Sequence, residues 1–239
     1  MTDKGFADET NKKWYHPRIW WVYIPLAIFA SAILAFNIIQ PITVLPRVDL
    51  GPGYLFYNQD GEKVTNEDYR GQFSLYSFTY TNCNDDCPQS LDDIAHIQTF
   101  LEEEVPPDVT ISHVTISLDP ERDTPEQMKA ALAKYDVSGN VDWQFISGDP
   151  TITKYVVGSG FGFYYNALEP DASGDYDVTF QPRYFLMDGW GIVRAKYGVS
   201  APSTEILLRD INLLIEEKKN SEGVAALGYE AAHLFLCYP

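Results

Sequence analysis

The stretch "FSLYSFTYTNCNDDCPQSL", residues 73–91, joins an apolar segment to two closely spaced cysteines. Its first half has the near-continuous apolar and aromatic character of a strand buried on both faces of a sheet. The residues that follow, "SLDDIAHIQTFLEE", repeat apolar side chains at helical spacing, so we expect a helix from about Asp85 to Glu104. Cys83 and Cys87 therefore lie where a buried strand passes into a helix, the edge of an α/β sheet at which ligands bind.

Strands and helices alternate on both sides of this stretch. Upstream, "YLFYNQDGEKVT" predicts a β-hairpin with its turn at Asp60-Gly61. Further strands are expected at 109–119, 143–147, 184–188 and 192–198, separated by helices that include N-caps at Thr124 and Ser203. This alternation predicts an α/β domain over residues 53–219, with a mixed sheet covered on both sides.

An uncharged stretch, Ile19 to Pro46, precedes this domain. Its first part, "IWWVYIPLAIFASAILAFNII", is long enough as a helix to cross a hydrocarbon layer of roughly 30 Å. A cleaved signal peptide is the alternative, with Ala30-Ser31-Ala32 as the cleavage site, but the apolar run continues to Ile39. We therefore expect an N-terminal tail at 1–18, one uncleaved transmembrane helix at 19–40 and a linker at 41–52.

Charge predicts which side of the membrane the domain occupies. The 239-residue chain carries a net charge of −17, yet four basic residues against three acidic ones precede the uncharged stretch. Basic residues flank the cytoplasmic ends of membrane helices. The prediction is a single-pass protein of a bacterial cytoplasmic membrane, with its N-terminus in the cytoplasm and its main domain on the periplasmic side. Such acidity argues against nucleic acid and anionic lipid as partners and permits a basic protein partner.

The two cysteines leave three interpretations open. If the first helical turn contains both, their sulfurs face the same way and can reach each other or one ion. A helix N-terminus favours thiolates, and a close pair of thiolates suits Cu(I) as well as reversible disulfide exchange. A static disulfide in an oxidising compartment is the third interpretation.

A second motif narrows these interpretations. The loop in "SLDPERDTPEQMKAALAKY", residues 117–135, carries four charged residues at the same sheet edge. Together with "NQDGEKVTNEDYRGQFSLYSFTYTNCNDDCPQSL" and "YFLMDGWGIV", it closely resembles the Sco/SenC family of membrane-anchored copper proteins over about residues 48–219. The resemblance implies a thioredoxin-like fold with an N-terminal β-hairpin. It also implies copper held by two cysteines and one histidine, and a role in maturing the binuclear copper centre of cytochrome c oxidase. Some members act mainly as thiol–disulfide reductants.

The resemblance assigns Cys83 and Cys87 as the redox pair and copper ligands, and Asp119 as the first acid of the loop at the site. The family histidine does not carry over. It lies eight residues before the aspartate that ends the late strand, and counting back from Asp188 reaches Phe180, which cannot coordinate copper. Any bound copper is therefore expected as Cu(I), and any enzymatic activity is at most that of a thiol–disulfide oxidoreductase.

Another departure from the family favours thiol chemistry. Pro182 stands where thioredoxin-like oxidoreductases commonly carry a cis-proline facing their cysteines, so we expect a cis-proline there. The other histidines fit a copper site poorly: His16 precedes the membrane segment, His113 lies within a strand, His96 faces away from Cys87, and His233 lies in the tail, four residues before Cys237.

The C-terminal tail, residues 220–239, extends beyond the matched region. Its apolar residues recur at helical spacing, at Val224, Leu227, Ala231, Leu234 and Tyr238. This stripe either packs on its own domain or docks onto a membrane partner. Three functions follow: a copper-binding or thiol-redox factor for assembly of a respiratory oxidase, a permanent accessory subunit of a membrane electron-transfer complex with weakened copper chemistry, or a general thiol oxidoreductase.

Overall fold

The computed structural model describes residues 17–39, 42–83, 87–135 and 139–235. The chain divides into an N-terminal unit that ends at Ile42 and a domain that begins at Thr43. The N-terminal unit contains helix α1 (Pro17–Ile39), which confirms a helix where one was predicted. Within the described ranges, no helix combines the length and apolar character that crossing a bilayer requires, so the predicted transmembrane span is not confirmed. The predicted tail at 1–18 lies almost entirely outside the described residues.

The domain alternates strands and helices as the sequence predicts. Its strands are β1 (Asp49–Leu50), β2 (Leu55–Asn58), β3 (Lys63–Thr65), β4 (Phe73–Thr79), β5 (Ile111–Ser117), β6 (Asp142–Ser147), β7 (Tyr165–Ala167), β8 (Val178–Phe180), β9 (Tyr184–Met187) and β10 (Ile192–Tyr197). Its helices are α2 (Leu91–Glu104), α3 (Pro125–Leu132), α4 (Pro150–Tyr155), α5 (Thr204–Lys219) and α6 (Gly223–Phe235). Strand β1 falls inside the predicted linker, so the folded domain begins earlier than residue 53.

Eight strands form one mixed sheet in the order β1-β10-β9-β4-β5-β6-β2-β3, and β7 pairs with β8 in a separate ribbon. Strands β4, β5 and β6 run parallel, whereas β9 joins β4 and β2 joins β6 in antiparallel pairs. The hairpin of β2 and β3 turns at the predicted place, where Gly61 has a φ of 77°. The predicted α/β, thioredoxin-like fold with an N-terminal hairpin is confirmed.

Strand β4 is the centre of the core, because all seven of its residues are buried. On one face of the sheet its side chains pack with those of α2 and α5, for example Leu75 with Ile94 and Ile211. On the other face, Phe78 makes edge contacts with the rings of Phe161, Phe163 and Phe185. The sheet is therefore covered on both sides, as its apolar strands require.

Helix α2 begins later than predicted, at Leu91 rather than near Asp85. Ser90 is the N-cap and accepts a hydrogen bond from the backbone N–H of Asp93, whose carboxylate accepts from the Ser90 backbone in return. This capping box satisfies the free N–H groups at the helix start. Pro88 also disfavours a helical conformation for the residue before it. The two cysteines consequently lie in a loop before the helix, not in its first turn.

Helix α6 packs on its own domain through polar contacts and through the fully buried Ala232. Glu230 forms an ion pair with Arg47 (2.7 Å), and the His233 ring lies 3.0 Å from the Glu217 carboxylate. Glu217 in turn accepts from Arg194, a buried side chain of β10 that also bonds Asp188 (2.9 Å). Burial alone would raise the pKa of Glu217, but its hydrogen bond with Arg194 holds that pKa below its usual value.

We expect Arg194→Met to destabilise the domain by about 3 kcal/mol, because two carboxylates would then face each other without their buried cation. Arg47→Met is the matched control: its ion pair is exposed to solvent, and its loss is expected to cost less than about 1 kcal/mol. Urea unfolding of the full chain measures both values. Equal destabilisation by the two substitutions would contradict the structural role given to Arg194.

Candidate functional site

Cys83 and Cys87 are joined by a disulfide, with their Cα atoms 5.3 Å apart. The pair lies in the loop between β4 and α2 and packs, partly buried, against the aromatic core cluster on one face of the sheet. The two sulfurs therefore meet, as the spacing predicts. Redox exchange and copper binding by this pair stay predictions.

The sulfurs face a backbone carbonyl. The carbonyl oxygen of Gln89 lies 3.3 Å from Sγ of Cys83 and 3.7 Å from Sγ of Cys87. The same oxygen accepts a hydrogen bond from the Thr79 hydroxyl at the end of β4 (2.7 Å). The fully buried side chain of Gln89 accepts from the backbone N–H of Arg183 (2.9 Å). Gln89 thus ties the cysteine loop to both the end of β4 and the start of β9.

A buried carboxylate anchors the start of the cysteine loop. Asp123 accepts hydrogen bonds from the Thr81 backbone N–H (3.1 Å), from the Thr81 hydroxyl and from the Ser117 hydroxyl. Burial raises the pKa of Asp123, against the opposing effect of these hydrogen bonds. Asp123, in the loop after β5, therefore holds the loop after β4 at Thr81, which is two residues before Cys83.

Arg122 connects the same loop to the segment before β8. Its guanidinium pairs with Asp119 and Asp175, donates to the Tyr176 carbonyl (2.7 Å) and stacks 3.7 Å from the centre of the Tyr176 ring. Burial and the hydrogen bond to Asp119 raise the pKa of the Tyr176 hydroxyl to about 12. Asn82 also donates to Asp175 (3.1 Å). The predicted site residue Asp119 is thus buried and linked to the cysteine loop through Arg122, Asp175 and Asn82.

Phe180 ends β8 and belongs to the core cluster against which both cysteines pack. Its ring contacts Tyr80 edge to face, with 6.5 Å between centroids. Phe180 also lines an open hollow of about 470 Å³, together with Phe163, Tyr164 and Arg183. Position 180 therefore contributes an apolar ring to the cluster against which the cysteines pack. The absence of the family histidine at this position stays a prediction.

The prediction of a cis-proline at Pro182 is wrong, because no peptide bond among the described residues is cis. The strand that follows Pro182 is nevertheless connected to the cysteine loop through the bond between Arg183 and Gln89.

The histidines take structural positions where the structure describes them. His113 is fully buried, lies within hydrogen-bond distance of Ser77 (3.2 Å) and Gln98 (3.1 Å), and burial lowers its pKa to about 3. His96 is exposed on α2. His233 lies against Glu217, while His16 and Cys237 fall outside the described residues. In the described ranges, no group of three or more His, Cys, Asp or Glu side chains is arranged to hold a metal ion.

Sequence reasoning missed Gln89, Asp175 and Tyr176 and gave no separate roles to Arg122 and Asp123. A turn-forming composition, "PDASGDYD" at residues 170–177, was the only signal near Asp175 and Tyr176. It predicts a loop but does not indicate which loop it meets. Their partner Arg122 lies more than 50 residues earlier in the chain, a distance over which local patterns carry no information.

The chain is similar in sequence to several curated proteins. The chain is 28% identical to a SCO1 protein homolog of Bacillus subtilis (strain 168) over 161 residues, which cover 66% of this chain and 79% of the relative. It is 34% identical to a SCO2-like protein of Rickettsia prowazekii (strain Madrid E) over 163 residues, covering 67% and 75%. It is 32% identical to the mitochondrial SCO2 homolog of Homo sapiens over 143 residues, covering 58% of this chain but half of the human protein.

Solved structures are similar to this chain as well. The structure of Bradyrhizobium japonicum ScoI with copper bound superposes with a TM-score of 0.55 at 29% identity, covering 69% of this chain and 97% of that one. A structure of BsSco, described as a member of the Sco family of cytochrome c oxidase assembly proteins with a disulfide switch, gives a TM-score of 0.56 at 25% identity, covering 71% and 95%. Residues 44–216 match the SCO1/SenC family, which places the cysteine loop, the Asp119–Asp123 loop and the whole central sheet within the match. The chain therefore belongs to the SCO1/SenC family.

Proposed function

We propose that this protein binds copper or exchanges thiols and disulfides to serve assembly of the copper centre of a respiratory oxidase. The observation that carries the proposal is the joined pair Cys83–Cys87 at the carboxyl end of β4, within a chain of this family. Relatives support it: Bradyrhizobium japonicum ScoI has been solved with copper bound, and BsSco is described with a disulfide switch.

The chemistry requires the disulfide to open. A thiol-bearing partner attacks one sulfur as its thiolate, the mixed disulfide passes to the partner's second thiol, and Cys83 and Cys87 leave with two electrons and two protons. Run in reverse, the reduced pair reduces a disulfide on a client protein. Copper is cargo here, and the two sulfurs suit Cu(I) once their protons are lost.

The donor set fits Cu(I) better than Cu(II). Two thiolates satisfy a soft monovalent ion, whereas Cu(II) prefers nitrogen and oxygen donors in a tetragonal arrangement. Near the disulfide the structure supplies the carbonyl of Gln89, and the cluster against which both cysteines pack is apolar and includes Phe180. Asp119 and Asp123, the nearby acids of the loop, are each engaged in other bonds. The proposal is therefore two-sulfur coordination of Cu(I), without a strong third ligand from this domain.

We also propose that α1 attaches the domain to the extracytoplasmic face of a membrane. This part rests on the sequence, in which residues 19–39 contain no charged side chain and basic residues precede them. The large apolar side chains of α1 that are described, such as Trp21 and Phe29, are exposed, and such a surface requires apolar surroundings. Proteolysis of right-side-out membranes should remove the domain, and protection there would contradict the orientation.

A permanent accessory subunit is the second candidate function. Helix α6 favours it, because Leu227 and Leu234 stand exposed on a helix that follows the family domain. Stable co-purification with an electron-transfer complex, combined with copper analysis of the same sample, distinguishes the two functions. A transient assembly factor carries copper without the complex, whereas a subunit remains with the complex.

Cys83→Ser tests the proposed function directly. The variant is expected to lose both the disulfide and Cu(I) binding, because one sulfur remains where two are needed. Cys237→Ser is the matched control and should retain both properties. Anaerobic loading with Cu(I), followed by metal analysis and a thiol count on the full chain, gives the result. Retention of stoichiometric Cu(I) by Cys83→Ser would overturn the proposal.

Phe180→His should restore the ligand that the family resemblance implies. We expect the affinity for Cu(II) to rise more than about tenfold, since even outer partners of metal ligands are worth that factor. Phe180→Leu removes the same ring without adding a donor and should leave Cu(II) binding unchanged. Competition with a chelator measures the affinities, and a histidine-nitrogen signature in the electron paramagnetic resonance spectrum identifies the new ligand. Tight Cu(II) binding by the unmodified protein would contradict this reading of position 180.

Asp123→Asn should make the disulfide easier to reduce. A neutral amide makes weaker hydrogen bonds to Thr81 and Ser117 than the carboxylate does. The cysteine loop then gains conformational freedom when it is reduced, whereas the disulfide still restrains it in the oxidised state, so the reduced state is favoured. A loss of one charge-assisted hydrogen bond corresponds to a reduction potential less negative by about 30 mV. Glu121→Gln, an exposed residue of the same loop, is the control and should leave the potential unchanged. Equilibration with glutathione buffers measures both potentials, and equal values would remove the anchoring role of Asp123.

A further inference from the structure

Helix α6 turns part of its apolar stripe outward. The side of the helix that meets the domain carries Tyr229, the fully buried Ala232 and His233, and Tyr229 and His233 contact Asn220 and Glu217. The opposite side carries two of the predicted stripe residues, Leu227 and Leu234, which are 72% and 78% exposed. Amphipathic helices on soluble domains normally bury such a stripe. The orientation of α6 therefore leaves an apolar surface that needs a partner.

Three further apolar side chains are exposed near the same part of the domain. Val48 and Leu50 flank Asp49 in the segment that enters the sheet, and Trp190, 77% exposed, lies in the turn between β9 and β10. This turn and the entering segment are joined by the bond from the Gly51 N–H to the Gly191 carbonyl (2.9 Å). The linker-side face is defined as Val48, Leu50, Trp190, Leu227 and Leu234.

Hydrogen bonds hold the two halves of the linker-side face together. Arg194 of β10 donates to the backbone carbonyls of Leu45 (2.6 Å) and Pro46 (3.2 Å), and also to Glu217, which contacts α6. A groove of about 600 Å³ lies between Trp190 and the end of α5, with Phe73 and Leu214 among its lining residues. The segment that enters the domain is thus connected to α6 by the Arg47–Glu230 ion pair and through Arg194 and Glu217.

We propose that the linker-side face docks on the interface of a lipid bilayer. This inference rests on the proposed membrane attachment through α1. Only residues 40–43 separate Ile39 from Val44, which is buried in the domain. An extended chain covers at most about 3.6 Å per residue, so a bilayer that holds α1 lies within about 18 Å of Val44.

The chemistry of the face fits the bilayer interface rather than an anionic surface. Tryptophan and leucine side chains partition into the zone between headgroups and acyl chains. Three basic side chains nearby are paired with carboxylates: Arg47 with Glu230, Arg194 with Asp188 and Glu217, and Lys196 with Asp49. A fourth, Lys218 of the groove, donates to the Gly71 carbonyl (3.0 Å). Apolar insertion into neutral lipid, and not charge attraction, is therefore the interaction on this face.

Tryptophan quenching by brominated lipid tests the proposal on the full chain. The variants Leu227→Trp and Leu234→Trp are compared with the control Ile152→Trp, which changes an exposed apolar position on α4. Each is measured in nanodiscs of neutral phosphatidylcholine, once with and once without bromine on the acyl chains. The emission added at 227 and 234 is expected to fall about twofold with brominated lipid, as for interfacial tryptophans, whereas that at 152 should not change. Trp190→Phe should likewise remove a quenchable part of the parent emission.

The outcomes separate this inference from the proposed function. Quenching at 227 and 234 no greater than at 152 overturns the docking surface, and leaves the α6 stripe for a protein partner. A chain that fails to float with lipid vesicles overturns the membrane attachment and the docking surface together. Neither result changes the expected Cu(I) binding by Cys83 and Cys87. That binding is measured separately by copper analysis of the same preparations.

Discussion

The parallel pairing of β4 with β5 decides where chemistry can occur in this protein. The register aligns Thr79 with Ser117 at the carboxyl ends of the two strands, so the loops that follow leave the sheet at the same edge. One of these loops carries the cysteines and the other carries Asp119 to Asp123. Because β4 and β5 are buried along their whole length, the core fixes the strand ends from which both loops leave. The hydrogen bonds between Asp123 and Thr81 depend on this strand pairing. The other contacts between the two loops depend on it as well.

The sequence was informative wherever local pattern and burial agree. The apolar run of β4, the hairpin turn at Gly61 and the cap at Thr124 each have a local cause, and each is found where it was predicted. The start of α2 was predicted too early, near Asp85, because the prediction rested on helical periodicity alone. Pro88 and the Ser90–Asp93 capping box are stronger local signals, and the helix begins after them. The contact of Arg122 with Asp175 joins residues far apart in sequence, and no periodicity encodes it. Local causes are thus readable from one sequence, while loop-to-loop contacts at the site are not.

The outward stripe of α6 has a cause in the core. Arg194 is buried almost completely and needs carboxylates around it, and Glu217 is one of them. Arg194 donates to both oxygens of Glu217, and one of these oxygens also meets His233. With His233 and the fully buried Ala232 turned toward the domain, helical geometry directs Leu227 and Leu234 away from it. A buried charge on β10 therefore determines which side of a distant helix remains free for a partner.

The surroundings of the sulfurs change the expected character of the reduced pair. The sequence predicts the cysteines at the N-terminus of a helix, where backbone N–H groups would stabilise thiolates. Instead the capping box uses N–H groups at the start of α2, and a carbonyl oxygen of Gln89 faces both sulfurs. A carbonyl accepts a hydrogen bond from a thiol and repels a thiolate. Disulfide oxidants are strong because their reduced form is stabilised, and such stabilisation is weaker at this site. The pair should therefore favour the disulfide and, when reduced, give up its electrons readily, which suits reduction of a client's cysteines better than their oxidation.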